Sequence, residues 1–361
     1  MTPRKKAVFF GELLMRLGTK QHERFVQAGE FTVAFTGAEA NAAVSLVHFG
    51  MDAYLVSIVP DHEIGQACVN FMRRFGLNTD YVRRGGKRLG LFYLETGASQ
   101  RPSKVIYDRT GSSITEVQVG ELDWAGIFEG KDWFHFSGTA PALADNVAQV
   151  VREGCERAKE HGLTISCDLN YRRKLWPPEK ACRVMASLME FVDVLIANEE
   201  HSRELFGIAG RRGGVRRRGR ASRVHTAIQP ASKRNASDLL SAAEAVGREL
   251  CDRFDLRYAA VTCREGPSAS DTVWSAVLCD GSACYRSAQY RIHVVDRVGG
   301  GDAFSGALIY GLLSGMSPKE TVEFAVAASC LKHSIHGDFN LVSLDEVRAL
   351  MAGNGAGRVQ R

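Results

Sequence analysis

The chain has no apolar run approaching the roughly 20 residues that a membrane-spanning helix needs. It also has no CxxC pair: its nine cysteines are scattered and odd in number. That usage argues against zinc and predicts reduced thiols in a cytoplasm. Neither GxxxxGK[ST] nor GxGxxG spacing occurs, which removes the Walker loop and the dinucleotide fingerprint. His135, His293 and His333 stand singly, with no HxH or HxxxH spacing, and read as ordinary structural or surface histidines. The start, "MTPRKKAVFFGELLMRLG", is basic, but Glu12 and Arg16 interrupt its short apolar part and no small-residue cleavage site follows. It reads as an opening strand rather than a signal peptide.

Acidic residues are missing from one stretch in particular. Residues 211–234, "RRGGVRRRGRASRVHTAIQPASKR", hold eight arginines and one lysine. Subtracting those nine charges from the net +5 leaves the rest of the chain at −4. The body is mildly acidic, and a single Arg-rich insert (about 209–236) sets the overall sign. Poor in apolar residues, it reads as a solvated, flexible loop. It lacks the interleaved aromatics of a base-stacking surface, so nucleic acid is not the expected partner.

Strand-like and helix-like runs alternate elsewhere. "AYLVSIV" precedes "DHEIGQACVNFMRRFG", "DWFHFSG" precedes "DNVAQVVREGCERAKEHG", and "TISCDLN" precedes "PEKACRVMASLMEFV". "DVLIANEE" and "YAAVTCREG" follow. Repeated βα units predict an α/β fold, a mostly parallel sheet with helices on both faces, whose ligands bind at the carboxyl ends of the strands. Between about 78 and 115 the rhythm becomes strand, turn, strand. This predicts a small antiparallel flap that also takes up part of 13–36.

"VVDRVGGGDAFSGALIYGLL", residues 294–313, places three glycines between a strand and an amphipathic helix. Without Cβ atoms the amides of Gly299, Gly300 and Gly301 can point inward, and the helix N-terminus adds positive dipole: the physics of an anion site. Asp302 beside them is placed to accept a proton from an alcohol. A tight turn carrying an N-terminal acid would look the same.

"DRVGGGDAFSGAL" resembles the C-terminal signature of the ribokinase (PfkB) family of sugar kinases. "FTGAEANAAVSLVHFGMDAYLVSIVPDHEIGQ" resembles that family's N-terminal signature, some 260 residues upstream and in the right order. The resemblance covers the chain apart from the Arg-rich insert and implies one ribokinase-like domain with a β lid. It further implies Asp302 as catalytic base, with Gly299 to Gly301 as anion hole. Within the family the likeness is to 2-keto-3-deoxygluconate kinases, carried by "RPSKVIYDRTGSSI", "DLNYRRKLW", "LKHSIHGDFNLVS" and the terminal "GRVQR". A sugar acid needs a planar cation for its carboxylate, and arginine supplies one bidentately. The resemblance assigns Arg109 and Arg172 to that carboxylate, and Tyr107, Gly37 and Asn41 to the sugar hydroxyls. As surface cations the arginines would have no such role.

On the nucleotide side, "VTCREGPSAS" matches the strand and turn where Gly266 lets the backbone approach ATP. "ANEEH" resembles an Asn-x-x-Glu motif that organises Mg²⁺ and phosphate, implying Asn198 as a cofactor contact. Its fourth position is His201, which leaves Glu200 or Glu199 as the candidate metal carboxylate; acids at a helix N-terminus fit the same letters. Asp296 is implied in a monovalent-cation (K⁺) site, as in some relatives. Phe92 stands where relatives often carry tyrosine, and Tyr93 points to the other face of a strand. The predicted function is ATP-dependent phosphorylation of a sugar acid. A fructokinase or ribokinase type is the alternative, and a non-catalytic protein acting through the insert a third. Flap strands have open edges, which relatives cover by pairing flaps between subunits, so the resemblance implies a homodimer.

Overall fold

The computed structural model describes residues 4–210 and 236–355. The Arg-rich segment 211–234 and the terminal "GRVQR" lie outside the described residues. In chain order the strands are β1 (Lys6–Phe10), β2 (Leu14–Gly18), β3 (Thr32–Thr36), β4 (Asp52–Val59), β5 (Asn78–Arg84), β6 (Gly90–Glu95), β7 (Lys104–Asp108), β8 (Trp133–Ser137), β9 (Thr164–Asp168), β10 (Val194–Asn198), β11 (Tyr258–Glu265), β12 (Asp271–Cys279), β13 (Cys284–Arg286) and β14 (Tyr290–His293). The helices are α1 (Ala38–His48), α2 (Glu63–Arg74), α3 (Trp124–Phe128), α4 (Asp145–Glu160), α5 (Pro178–Leu188), α6 (Glu199–Phe206), α7 (Ala236–Phe254), α8 (Gly300–Leu313), α9 (Pro318–Lys332) and α10 (Leu344–Met351).

The large sheet runs β13-β12-β11-β10-β9-β8-β1-β4-β5. Every pair from β11 to β5 is parallel. Parallel strands buried on both faces read as near-continuous apolar runs, as in "KAVFF" and "WFHFS". Alternate residues of β1 divide between two cores: Val8 and Phe10 face α3, α4 and α5, whereas Ala7 and Phe9 face α1, α8 and α9. Among the described residues no helix is long and apolar enough to cross a membrane.

Four departures from the sequence reading have local causes. "DYVRRGG" belongs to β5, which pairs in parallel with β4 at the edge of the large sheet, not in the flap. The flap is a separate sheet of order β3-β2-β6-β7; its outer pairs are antiparallel, but β2 and β6 run parallel. β12 closes the large sheet antiparallel to β11, and β13 and β14 both pair with it, a terminal meander that the βα rhythm hides. Cys279 and Cys284 are joined by a disulfide, contrary to the expectation of reduced thiols throughout. They face each other across the β12–β13 hairpin, so the short loop brings them together whatever the spacing of the other cysteines.

α8 positions the site. Phe304 and Leu308 are fully buried, each worth roughly 1.5–3 kcal/mol, and anchor the helix under the sheet. At Gly306 a Cβ would collide with the carbonyl oxygen of Ala42. The helix therefore lies close against α1, which carries Asn41 and Glu39 one turn from the start of α8.

Candidate active site

Because β1, β8, β9, β10 and β11 are parallel, their carboxyl ends lie along one edge of the sheet. Glu12, Ser137, Asp168, Asn198 and Gly266 occupy or directly follow those ends. The small sheet and the N-terminus of α8 meet the same edge.

Gly299 caps α8 at φ +80°, and any side chain there would strike the carbonyl of Asp338. At Gly300 a Cβ would meet the His333 ring. Gly301 differs: a Cβ would meet nothing within 4 Å, so its backbone faces open space. Among the described residues the amides of Gly301 and Asp302 find no backbone acceptor, which leaves two donors and the helix dipole for an anion.

Asp302 is half-buried, and its carboxylate accepts a 2.6 Å hydrogen bond from Asn41 Nδ2. The Thr36 hydroxyl donates to Asn41 Oδ1 at 2.9 Å, which fixes the amide with its nitrogen toward Asp302. Burial raises the Asp302 carboxyl to about 7, with Asp168 and Glu39 adding to the rise and Asn41 and Arg172 opposing it. Asp168 is pushed up to about 6 by burial, against the Asn170 amide and the Ser305 hydroxyl that donate to it at 3.0 and 3.2 Å. Glu39 is raised to about 7 by burial and receives the Ser137 hydroxyl and amide at 2.6 and 3.0 Å. Three carboxyls that each titrate near neutrality thus share one region. Only Asp302 had been singled out from the sequence; the signals for the others were Glu39 inside "GAEAN" and Asp168 opening "DLNYRR".

The two arginines separate. Arg109 is paired with Glu12, which also receives the Ser112 hydroxyl at 2.5 Å, and it lies over the Tyr107 ring at 5.6 Å. Its charge already has a buried partner that the sequence reading did not foresee. Arg172 is exposed and makes no ion pair among the described residues, and its charge is felt at Asp168, Asp302 and His201. Gly37 lies where a Cβ would collide with the Glu12 carbonyl, so it sets the approach of β1 to α1. Tyr107 packs at 6.3 Å from Phe92, which is buried in the small sheet.

On the other flank, Asn198 caps α6 by accepting the His201 amide at 2.8 Å. His201 is lowered to about 4, first by burial and then by Arg172, and so is neutral near pH 7. Glu200 is exposed in the first turn of α6. Among the described residues no three His, Cys, Asp or Glu side chains form a metal cage. Gly266 directly follows β11, in the turn toward β12. The oxygens of Asp296 are taken by the protein itself: its carboxylate accepts Val298 and Gly337 amides at 3.0 and 3.1 Å and Arg16 at 3.3 Å. Its carbonyl accepts Lys332 Nζ at 3.2 Å. His135 and His333 are buried, lowered to about 3 and about 4, as structural histidines are.

A family model for pfkB family carbohydrate kinases matches residues 4–233 and 270–342. A 2-dehydro-3-deoxygalactonokinase from Haloferax volcanii is 32% identical over 97% of this chain and 98% of its own. A 2-dehydro-3-deoxygluconokinase from Thermoproteus tenax is 26% identical over 92% and 89%. The crystal structure of a 2-dehydro-3-deoxygluconokinase from Thermotoga maritima superposes with a TM-score of 0.87 at 42% identity, over 97% of this chain and 99% of that one.

The three raised carboxyls fix a sign for stability. Each binds its proton more tightly folded than unfolded, so the folded state holds more protons between about pH 4 and 7 and this contribution falls as pH rises through that window. Replacing Asp302 by Asn should therefore raise the unfolding free energy at pH 8, by on the order of 1 kcal/mol after allowing for partial solvent access, and do little at pH 4. Chemical denaturation at the two pH values checks this. A variant destabilised at pH 8 would show that the Asp302 charge is not strained.

Proposed function

Since the chain belongs to the pfkB family of carbohydrate kinases, we propose that it transfers the γ-phosphoryl group of ATP to the primary hydroxyl of 2-keto-3-deoxygluconate, giving the 6-phosphate. The observation that carries the substrate class is Arg172, an exposed cation without an ion-pair partner among the described residues, within electrostatic reach of Asp302. A neutral furanose would leave that guanidinium unused. A carboxylate on the sugar pairs with it bidentately. The names of the relatives from Haloferax, Thermoproteus and Thermotoga support the class and leave the configuration of the deoxy sugar acid open between gluconate and galactonate forms.

Asp302 takes the proton of the attacking hydroxyl. A carboxylate near pH 7 does this better than an ordinary one, because its proton affinity lies closer to the working pH. Asn41 holds the accepting oxygen in place. The amides of Gly301 and Asp302, with Gly299 and Gly300 shaping the turn, hold the charge of the transferring phosphoryl group, so positioning and electrostatics carry the reaction. Arg109, neutralised by Glu12, orients Tyr107 and the sugar face rather than competing for the acid. Mg²⁺, when bound, neutralises the phosphate oxygens. An exposed Glu200 suits an ion that keeps most of its waters and binds through one or two carboxylates and the nucleotide.

The whole chain is read as one kinase domain, with the small sheet as a lid that excludes water. Val33 and Ile106 on that sheet are 53% and 54% exposed, and with Phe31 they form an apolar face suited to a second copy. A monomer mass by light scattering would remove the homodimer.

Turnover should be measured at pH 9, where Asp302 is ionised, on 2-keto-3-deoxygluconate, its galactonate epimer, fructose and ribose. The keto acids should be preferred. Arg172→Ala should lower their kcat/KM by roughly 10- to 100-fold, the worth of a hydrogen bond to a charged group, and leave the neutral sugars unchanged. Preference for fructose or ribose would overturn the sugar-acid reading and leave the family standing.

A further inference from the structure

Behind the glycine turn lies a charge cluster that the phosphoryl-transfer reading does not use. Lys332, the last residue of α9, is fully buried. Its ammonium donates to the carbonyl oxygens of Asp296 and Ile335, both at 3.2 Å. The carboxylates of Asp296 and Asp338 act on it as well, and Arg16 from the lid strand β2 is ion-paired with both of those carboxylates. Two cations and two anions thus balance in a region with little access to water. Burial lowers the Lys332 pKa while Asp296, Asp338 and Asp302 hold it up.

The same residues brace the turn. The Ser329 hydroxyl donates to the Gly300 carbonyl at 2.7 Å, and the His333 carbonyl accepts the Val295 amide at 2.9 Å and the Asp296 amide at 3.2 Å. The carbonyl of Asp338 backs Gly299. Converging carbonyl and carboxylate oxygens are what a monovalent cation seeks, and the sequence placed one at Asp296. The residues present do not fit it: the centre of that oxygen cluster is held by a lysine ammonium, with a guanidinium beside it.

We propose that Lys332 is a tethered cation that takes the place of a free monovalent ion behind the anion-binding turn, so that the enzyme needs no potassium. Lys332 touches neither substrate and is a positioning residue. It holds the Asp296 and Ile335 carbonyls together, keeps the Asp296–Asp338 pair from repelling, and through them fixes the backbone that leads into Gly299–Asp302. The proposal rests on the kinase reading for its activity arm only.

That separation sets the experiment. In buffers of equal ionic strength, the wild-type thermal midpoint and turnover should be the same in potassium chloride and in tetramethylammonium chloride. A potassium-specific rise of either in the wild type overturns the proposal, and the thermal arm reads this whatever the substrate proves to be. Lys332→Ala should lose roughly 10- to 100-fold in kcat, the range for removing an outer partner of a charged site. Potassium or ammonium should restore part of it and raise that variant's thermal midpoint. Lys332→Met, which fills the space without charge, should lose activity without such rescue.

The acid limb of kcat/KM should also move to higher pH in Lys332→Ala. The groups that act on Asp302 are Asn41 and Glu39 on α1, Asp168 at the end of β9, and Arg172; Lys332 on α9 lies behind them within electrostatic reach, so removing it withdraws a distant positive charge from the ionised form. A Lys332→Ala enzyme with wild-type kcat and an unmoved acid limb would show that the lysine is packing alone.

Discussion

A carboxyl in the first turn of a helix ordinarily stays ionised, because free amides and the helix dipole favour its charge. Asp302 stands in that position and nevertheless rises to about 7, because burial and the neighbouring Asp168 and Glu39 outweigh the stabilising partners. The turn that brings it there is defined by glycine: a left-handed Gly299 pressed on the Asp338 carbonyl, and Gly301 open to the outside. α8 can approach α1 only because Gly306 has no side chain, and that approach lets Asn41 reach Asp302. The raised proton affinity of the group and its place at the glycine turn thus have a single structural cause.

Around this centre the chain separates its charges by function. Arg109 is tied to Glu12, Arg16 to Asp296 and Asp338, and Arg173 to Glu204, so each is committed within the protein. Arg172, one residue from Arg173, is left over at the mouth of the strand ends. Of these four arginines, Arg172 alone has no ion-pair partner among the described residues. Arg16 has a further consequence: it is a side chain of the small sheet anchored beside the glycine turn, so the position of that sheet and the geometry of the turn are mechanically linked.

Much of this was legible in the letters. The alternation of strand and helix runs located β4, β8, β9, β10 and β11 to within a residue or two, and the glycine run marked the start of α8. Asn41 and Asp302, 261 positions apart, were both singled out and lie in direct contact. What the letters hid were pairings between distant segments. Glu12 looked like an interruption in an apolar start, and its value as the partner of Arg109 depends on a fold that brings β7 to the end of β1. Lys332 was one letter of "LKHSIHGDFNLVS", and only the return of Asp296 and Ile335 around it shows a buried site. Cys279 and Cys284 were two of nine until a hairpin set them opposite each other. Local pattern specifies elements; charge partners are a property of the assembled tertiary structure.

The central claim is that Asp302 is a carboxyl whose proton affinity the fold has raised toward neutrality. The most direct measurement is an NMR titration of the protein labelled with carboxyl-¹³C aspartate, with Asp302→Asn used to assign the resonance. A midpoint near 7 for that resonance is the expected result. A midpoint near 4, the value of an ordinary exposed aspartate, would contradict the account, because the glycine turn would then hold an acid no different from any other at a helix start.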